Sequence, residues 1–210
     1  MSIRLNGSTS GYTELDAQAS PGNNTLKFPA SNGAARQAMR NGTTPGTMEF
    51  ADDLVLMTAQ NTTSGTSIDF TDIPSWVKRV TVMFSGVSTN GTSFVHVQLG
   101  TSAGFATTGY GSHSSFISSA PSYGAVNSSA GFLLYAASAT SIRSGTMTLH
   151  ALGNNKWVSS HIIGCDDGGI AVTLTGGGNK DLSSTLDRIR ITTVNGTDTF
   201  DAGTINVMYE

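Results

Sequence analysis

The sequence predicts an all-β protein on three observations. Short apolar runs alternate with period two, turn residues separate them at close intervals, and no stretch holds a helical period beyond about two turns. The composition agrees with this reading. Of 210 residues, 27 are Ser, 28 Thr and 25 Gly, while charged residues make up only 12%. A net charge of −3 beside regular Val, Ile and Phe alternation points to a folded chain. Disorder needs high net charge and few β-branched residues. Eleven Lys and Arg against fourteen Asp and Glu leave no basic excess for a nucleic-acid partner. The single cysteine, Cys165, excludes an internal disulfide and a multi-thiolate zinc site within this chain. The start reads without a basic-then-apolar leader, and no run of about 18 apolar residues marks a membrane span. The expectation is a protein made in the cytoplasm that stays soluble.

Residues 1–60 break into short candidate strands at Ile3–Leu5, Tyr12–Leu15, Thr25–Phe28, Gln37–Arg40, Thr47–Phe50 and Leu54–Met57, each bounded by Gly, Pro or Asn. Residues 34–40 could instead form a two-turn helix, marginal at that length and stopped by Asn41-Gly42. The apolar residues of this region are few and scattered. A segment this thin rarely buries enough surface to offset chain entropy, so it is expected to need other chains. The polar stretch 60–66 reads as a linker.

Residues 67–210 read as an antiparallel sandwich of jelly-roll type. Val80, Val82 and Phe84 point to a core, and Val95, Val97 and Leu99 repeat the pattern beyond Asn90-Gly91, a strong hairpin signal. Met147, Leu149 and Ala151 lead through Gly153-Asn154-Asn155 into Lys156–Ile163 as a second expected hairpin. Ile189, Ile191 and Thr193 lead through Asn195-Gly196 to Ile205, Val207 and Tyr209 as a third. Residues 104–130, dense in Gly, Ser and Tyr, read as long loops with one or two short strands. Tyr110, His113, Phe116 and Tyr123 offer aromatic faces among small hydroxyls there, a composition suited to glycan contact; the same stretch also suits a solvent-exposed or subunit-facing loop.

Catalytic patterns are weak. Asp52-Asp53 and Asp166-Asp167 are adjacent pairs, which point to opposite faces of a strand or cap turns and do not face each other across a substrate. No Gly-x-Ser-x-Gly elbow occurs, and Cys165 stands four extended residues from His161. His96, His150 and His161 fall on what the alternation marks as non-core faces. Gly176-Gly177-Gly178-Asn179-Lys180 lacks the order of a phosphate loop and reads as a flexible turn. No cofactor, metal or catalytic residue is expected.

The run Ile3-Arg4-Leu5-Asn6-Gly7-Ser8-Thr9-Ser10-Gly11-Tyr12-Thr13-Glu14-Leu15-Asp16-Ala17, followed by Asn24-Thr25-Leu26-Lys27-Phe28-Pro29, resembles the opening of tail-fibre-like proteins of tailed bacteriophages, marine and cyanobacterial ones above all. Gly33 to Phe50 is similar to the strand pair that joins their fibre modules, with Met39 for the usual Leu and Phe50 for the usual Trp. Thr185 to Gly203 resembles the end of such proteins. The resemblance implies a non-enzymatic virion protein, made in the host cytoplasm and assembled as a homotrimer. Residues 1–60 would dock on other virion proteins, with Ile3, Leu5, Tyr12, Leu15, Leu26 and Phe28 as anchoring or trimer contacts. Residues 67–210 would form a head for a host-surface glycan or protein. A capsid decoration or head-fibre protein is the alternative. An enzyme cleaving surface polysaccharide would need a carboxylate pair between subunits.

Overall fold

The computed structural model describes residues 26–34, 37–42, 44–120, 122–136 and 138–210, together with the backbone of the strands at 3–6 and 12–15. Among the described residues there are strands and turns and no helix. The chain divides into two compact units, Met1–Asp53 and Leu54–Glu210.

In the first unit, β1 (Ile3–Asn6) and β2 (Tyr12–Leu15) pair antiparallel, with Ile3 opposite Leu15. The side chains of Ile3, Leu5, Tyr12 and Leu15 lie outside the described residues. β3 (Ala38–Asn41) and β4 (Met48–Ala51) form a second antiparallel pair, with Met39 opposite Phe50. Residues 38–41 are therefore strand. A helix there would be too short to sustain itself, and the ladder with β4 supplies the backbone partners instead. Lys27 adds an isolated parallel bridge to Thr47, its N–H donating to Gly46 O at 2.7 Å and its carbonyl accepting from Met48 N at 2.8 Å. No described residue of 26–53 is buried.

The second unit holds β5 (Val55–Leu56), β6 (Gln60–Asn61), β7 (Ser67–Phe70), β8 (Arg79–Thr89), β9 (Val95–Thr101), β10 (Gly104–Phe105) and β11 (Tyr110–Ser118). It continues with β12 (Tyr123–Ser128), β13 (Phe132–Leu134), β14 (Ser141–Gly153), β15 (Lys156–Asp167), β16 (Ile170–Asp181), β17 (Arg188–Thr193) and β18 (Phe200–Tyr209). Nine strands form one antiparallel sheet in the order β12-β11-β16-β15-β14-β8-β18-β5, with β6 also on β18. The other five form a second sheet, β10-β9-β17-β7, with β13 also on β9. Val80, Val82, Met147, Leu149, Ile163, Leu174, Ile205 and Val207 from the first sheet form one apolar cluster with Val95, Val97, Leu99, Ile189 and Ile191 from the second. This is a β-sandwich-like core, and the period-two alternation identified eleven of these thirteen residues, all but Ile163 and Leu174.

Alternation locates a face but not a sheet. β14 and β15 form the expected hairpin, with Gly153, Asn154 and Asn155 all at positive φ in the turn. The other two expected hairpins do not form. β8 pairs with β14 and β18, whereas β9 pairs with β17, β10 and β13. β17 and β18 likewise belong to different sheets. Asn90-Gly91 and Asn195-Gly196 carry the chain between sheets, and their turns are fastened to one another. Asn90 Oδ1 accepts from Thr199 N at 2.9 Å, Asp198 Oδ2 accepts from Ser93 N at 2.9 Å, and Ser93 Oγ accepts from Asn195 N at 3.0 Å. All seven residues of β9 are buried, so His96 and Gln98 are as enclosed as Val97.

Three further expectations are corrected. Residues 104–130 contain β10, β11 and β12, not long loops; serine and glycine fit inside a strand where the facing backbone comes close. Gly176-Gly177-Gly178 lies within β16 and is not a turn. The stretch 60–66 is docked: Gln60 and Asn61 pair with β18, and the buried Thr62 hydroxyl donates to Ala202 O at 2.6 Å.

Polar side chains cover the open sides of β13 and β7. β13 pairs with β9 on one side, and on the other its Leu133 N donates to Ser112 Oγ at 3.0 Å. Tyr135 N, one residue beyond β13, donates to Ser114 Oγ at 3.1 Å. Gln60 Nε2 donates to Asp69 O at 2.7 Å on the open side of β7. β5, β6 and β10 are two residues each. Replacing Ser112 by Ala leaves a buried N–H without an acceptor and is expected to lower the unfolding free energy by about 1–3 kcal/mol in urea titration. Val82 is fully buried between Met147 and Val207, so Val82→Asp is expected to abolish the cooperative melt of Leu54–Glu210 in calorimetry.

Candidate functional site

The four residues expected to contact a ligand do not share a surface, because β11 and β12 are strands and their side chains alternate. Tyr110 is 4% exposed and belongs to the core. Its hydroxyl accepts from Leu99 N at 2.7 Å and donates to Ala106 O at 3.0 Å. Its ring stands edge-on to Phe132 at 5.1 Å, with Lys180 Nζ 5.1 Å from its centroid. Burial raises the phenol pKa above its ordinary value. Tyr110 thus pins β11 to β9 and is removed from the set of surface contacts. His113 is exposed on the outer face of the nine-stranded sheet, opposite Asn127 and Gly177. Tyr123, 88% exposed, opens β12 on that same face. Phe116 points inward.

Phe116 leads to a cavity of about 300 Å³ at the end of β11. Phe116 and Tyr135 supply aromatic walls, their rings 5.0 Å apart and inclined at 58°. Gly124 keeps this space open, since a Cβ there would stand 2.8 Å from Phe116 Cε1 and 2.9 Å from Tyr135 Cε1. Ser118, Ser122 and Ser141 add hydroxyls, and Asp167 a carboxylate. Asp167 Oδ1 accepts from the Thr140 hydroxyl at 2.8 Å and the Ser141 hydroxyl at 3.2 Å. Those bonds, the Thr140 one above all, hold its pKa below the usual carboxylate value. Apolar faces, hydroxyls and an ionised carboxylate are the groups that contact a sugar ring. Tyr135, Asp167 and Gly124 carry no local motif, and only the pairing of distant strands brings them together.

Beneath the rim lies Arg143, fully buried, its Nη1 donating to Ser141 O at 3.1 Å and its Nη2 to Ala136 O at 2.7 Å. Both carbonyls belong to cavity-lining residues, so the guanidinium braces the connection from β13 to β14. Cys165 faces Arg143 across the ladder, buried, and burial pushes its thiol pKa up, the opposite of an activated nucleophile. Asp166 Oδ1 caps the following turn by accepting from Gly169 N at 2.7 Å.

One serine–histidine pair does form. Ser114 Oγ lies 3.2 Å from His161 Nε2, across Gly176 of the intervening strand. A Cβ on Gly176 would stand 2.5 Å from His161 Cε1, so the glycine is what lets the two side chains meet. The pair is buried, the hydroxyl already accepts from Tyr135 N, and no acid meets His161 Nδ1. It links β11 to β15 across β16 within one sheet, where a triad would need an orienting carboxylate. His96 and His161 are thus core residues; only His150 keeps the exposed position expected of it. No cluster of three or more His, Cys, Asp or Glu able to hold a metal occurs among the described residues.

No protein-family description, curated protein or solved structure matches the chain.

Burial pushes both His96 and His161 down to about 4. They are neutral in the folded protein, while the unfolded chain takes up protons below about 6.5. Their contribution is therefore complete above pH 6.5 and lost as pH falls toward 4, by about 3 kcal/mol per histidine. Melting temperature is expected to fall across that window, and the double variant His96→Gln/His161→Gln to flatten the fall.

Proposed function

We propose that this chain is a non-enzymatic structural protein of a bacteriophage virion: a trimeric, tail-fibre-like component that docks through its N-terminal unit and presents the second unit for host attachment. The observation that carries this reading is the exposure of the described part of the first unit. None of the described residues 26–53 is buried, while Leu26, Phe28 and Met39 are exposed, Phe28 at 62%. Apolar side chains of that kind gain burial when sister copies or a docking partner cover them, and cyclic symmetry lets three copies share one set of faces. The opening phrase that resembles phage fibres occupies this same unit.

The jelly-roll assignment of the head rests on strand order. A jelly roll of eight strands arranges them as first-eighth-third-sixth in one sheet and second-seventh-fourth-fifth in the other. Taking β7, β8, β9, β11, β12 and β13 as the first six and β17 as the eighth gives β7-β17-β9-β13 for one sheet. The second reads β8, then β14-β15-β16, then β11-β12, with the seventh position widened into a three-strand meander. β18 extends the sheet beside β8. The cavity lined by Phe116, Tyr135 and Asp167 is the site this reading offers a host-surface glycan.

Light scattering on the full chain is expected to give a multiple of three copies. Residues 54–210, which contain every residue of the apolar core, should be folded with an unchanged melt but no longer trimeric or incorporated into particles. A single-copy full chain, or a truncation that still joins particles, would overturn the assignment.

A further inference from the structure

We propose that β12 is a homotypic docking edge, through which two copies of this chain pair β12 against β12, antiparallel, about a two-fold axis at Ala125. A strand at the end of a sheet carries unpaired N–H and C=O groups that invite another strand. Here β7 and β13 are covered by side chains, and β5, β6 and β10 are too short to template a ladder. β12 is different: six residues ending the nine-stranded sheet, with β11 its only strand partner.

The register says which groups are open. Ser118 N donates to Ser122 O, which makes that pair a hydrogen-bonded one. By the alternation of an antiparallel ladder, Gly124, Val126 and Ser128 then face β11, and Tyr123, Ala125 and Asn127 face outward along the sheet. No described residue bonds those three backbone units. A second β12 laid antiparallel about Ala125 places Tyr123 opposite Asn127 of the other copy, Ala125 opposite Ala125 and Asn127 opposite Tyr123. Each of these is a hydrogen-bonded pair, so the open donors of one copy meet the open acceptors of the other at every position. The side chains agree: Ala125 leaves room at the axis for the two exposed Tyr123 rings to lean across it.

Charge selects the occupant. Neither β11 nor β12 contains Asp, Glu, Lys or Arg, and β16 has none before Lys180. The chain holds 25 such residues, 11 basic and 14 acidic, so this end of the sheet is unusually bare. Two copies approach without like-charge repulsion, while a charged partner finds nothing to pair with. If the N-terminal unit holds three copies together, three such two-folds join two trimers into a closed dihedral assembly. The edge pairing does not depend on that number.

The test uses the full chain and light scattering. Ala125→Lys and Ala125→Glu each set like charges face to face at the axis, on an exposed side chain that the fold does not need. Each variant alone is expected to have half the mass of the unaltered protein with an unchanged melting temperature. An equimolar mixture of the two should recover the full mass, since Lys then faces Glu. Amide exchange should show Tyr123, Ala125 and Asn127 protected in the unaltered protein and rapidly exchanging in Ala125→Lys. Equal masses for the unaltered protein and Ala125→Lys would overturn the proposal, and so would a mixture that stays at half mass.

Discussion

Each backbone group at the end of a sheet needs a partner, and much of the second unit follows from how that demand is met. β13 is only three residues long and joins β9 along one side, so its other side would leave buried N–H groups facing the opposite sheet. Ser112 and Ser114 accept them. Those serines occupy inward positions of β11 that an apolar residue would otherwise fill, and they give up apolar packing for backbone satisfaction. With the opposite polarity, Gln60 Nε2 donates to Asp69 O of β7, and the Thr62 hydroxyl donates to Ala202 O of β18. A composition rich in hydroxyls, which looks poor in core-forming residues, thereby becomes part of how the sandwich is closed.

The same economy accounts for the ionisable groups inside. Arg143 has two carbonyls in place of a carboxylate, His161 has a serine, and His96 stands in a strand buried on both faces. A buried arginine keeps its charge and a buried histidine gives its charge up, because desolvation shifts the second across the accessible range and cannot shift the first far enough. Arg143 is a fixed brace at every ordinary pH, whereas the histidines link the fold to mild acid. Arg143 sits at the cavity, holding the carbonyls of its lining residues Ala136 and Ser141.

The two units differ in what holds them. Leu54–Glu210 brings strands distant in sequence around one apolar cluster, as in β7 with β17 and β8 with β18. The described part of Met1–Asp53 rests on local ladders, β3 with β4 and Lys27 with Thr47, and encloses nothing. Local ladders supply hydrogen bonds but little burial, and burial is the larger favourable contribution. The contrast is the physical argument behind the proposal that the first unit assembles and the second presents.

Period-two alternation in the amino-acid sequence determined the all-β class, the inward faces of β8, β14, β17 and β18, and the turn at Gly153-Asn154-Asn155, because side-chain direction along a strand is a local property. In the first unit the Gly, Pro and Asn boundaries marked the four described strands, while the run expected at Thr25–Phe28 is described only as an isolated bridge at Lys27. Alternation could not decide which strands share a sheet. Asn-Gly at 90–91 and 195–196 signals reversal of the chain, yet a reversal into the same sheet and a reversal into the facing sheet look alike until burial chooses. β9, enclosed on both faces, had to stand apart from β8, and that placed His96 in the core. The long pairing of β11 with β16 turned a stretch that reads as loop into strand, buried Tyr110, left Tyr123 in water, and drew Phe116, Tyr135 and Asp167 around one cavity. Those contacts join residues far apart in the chain, so only the tertiary structure decided them.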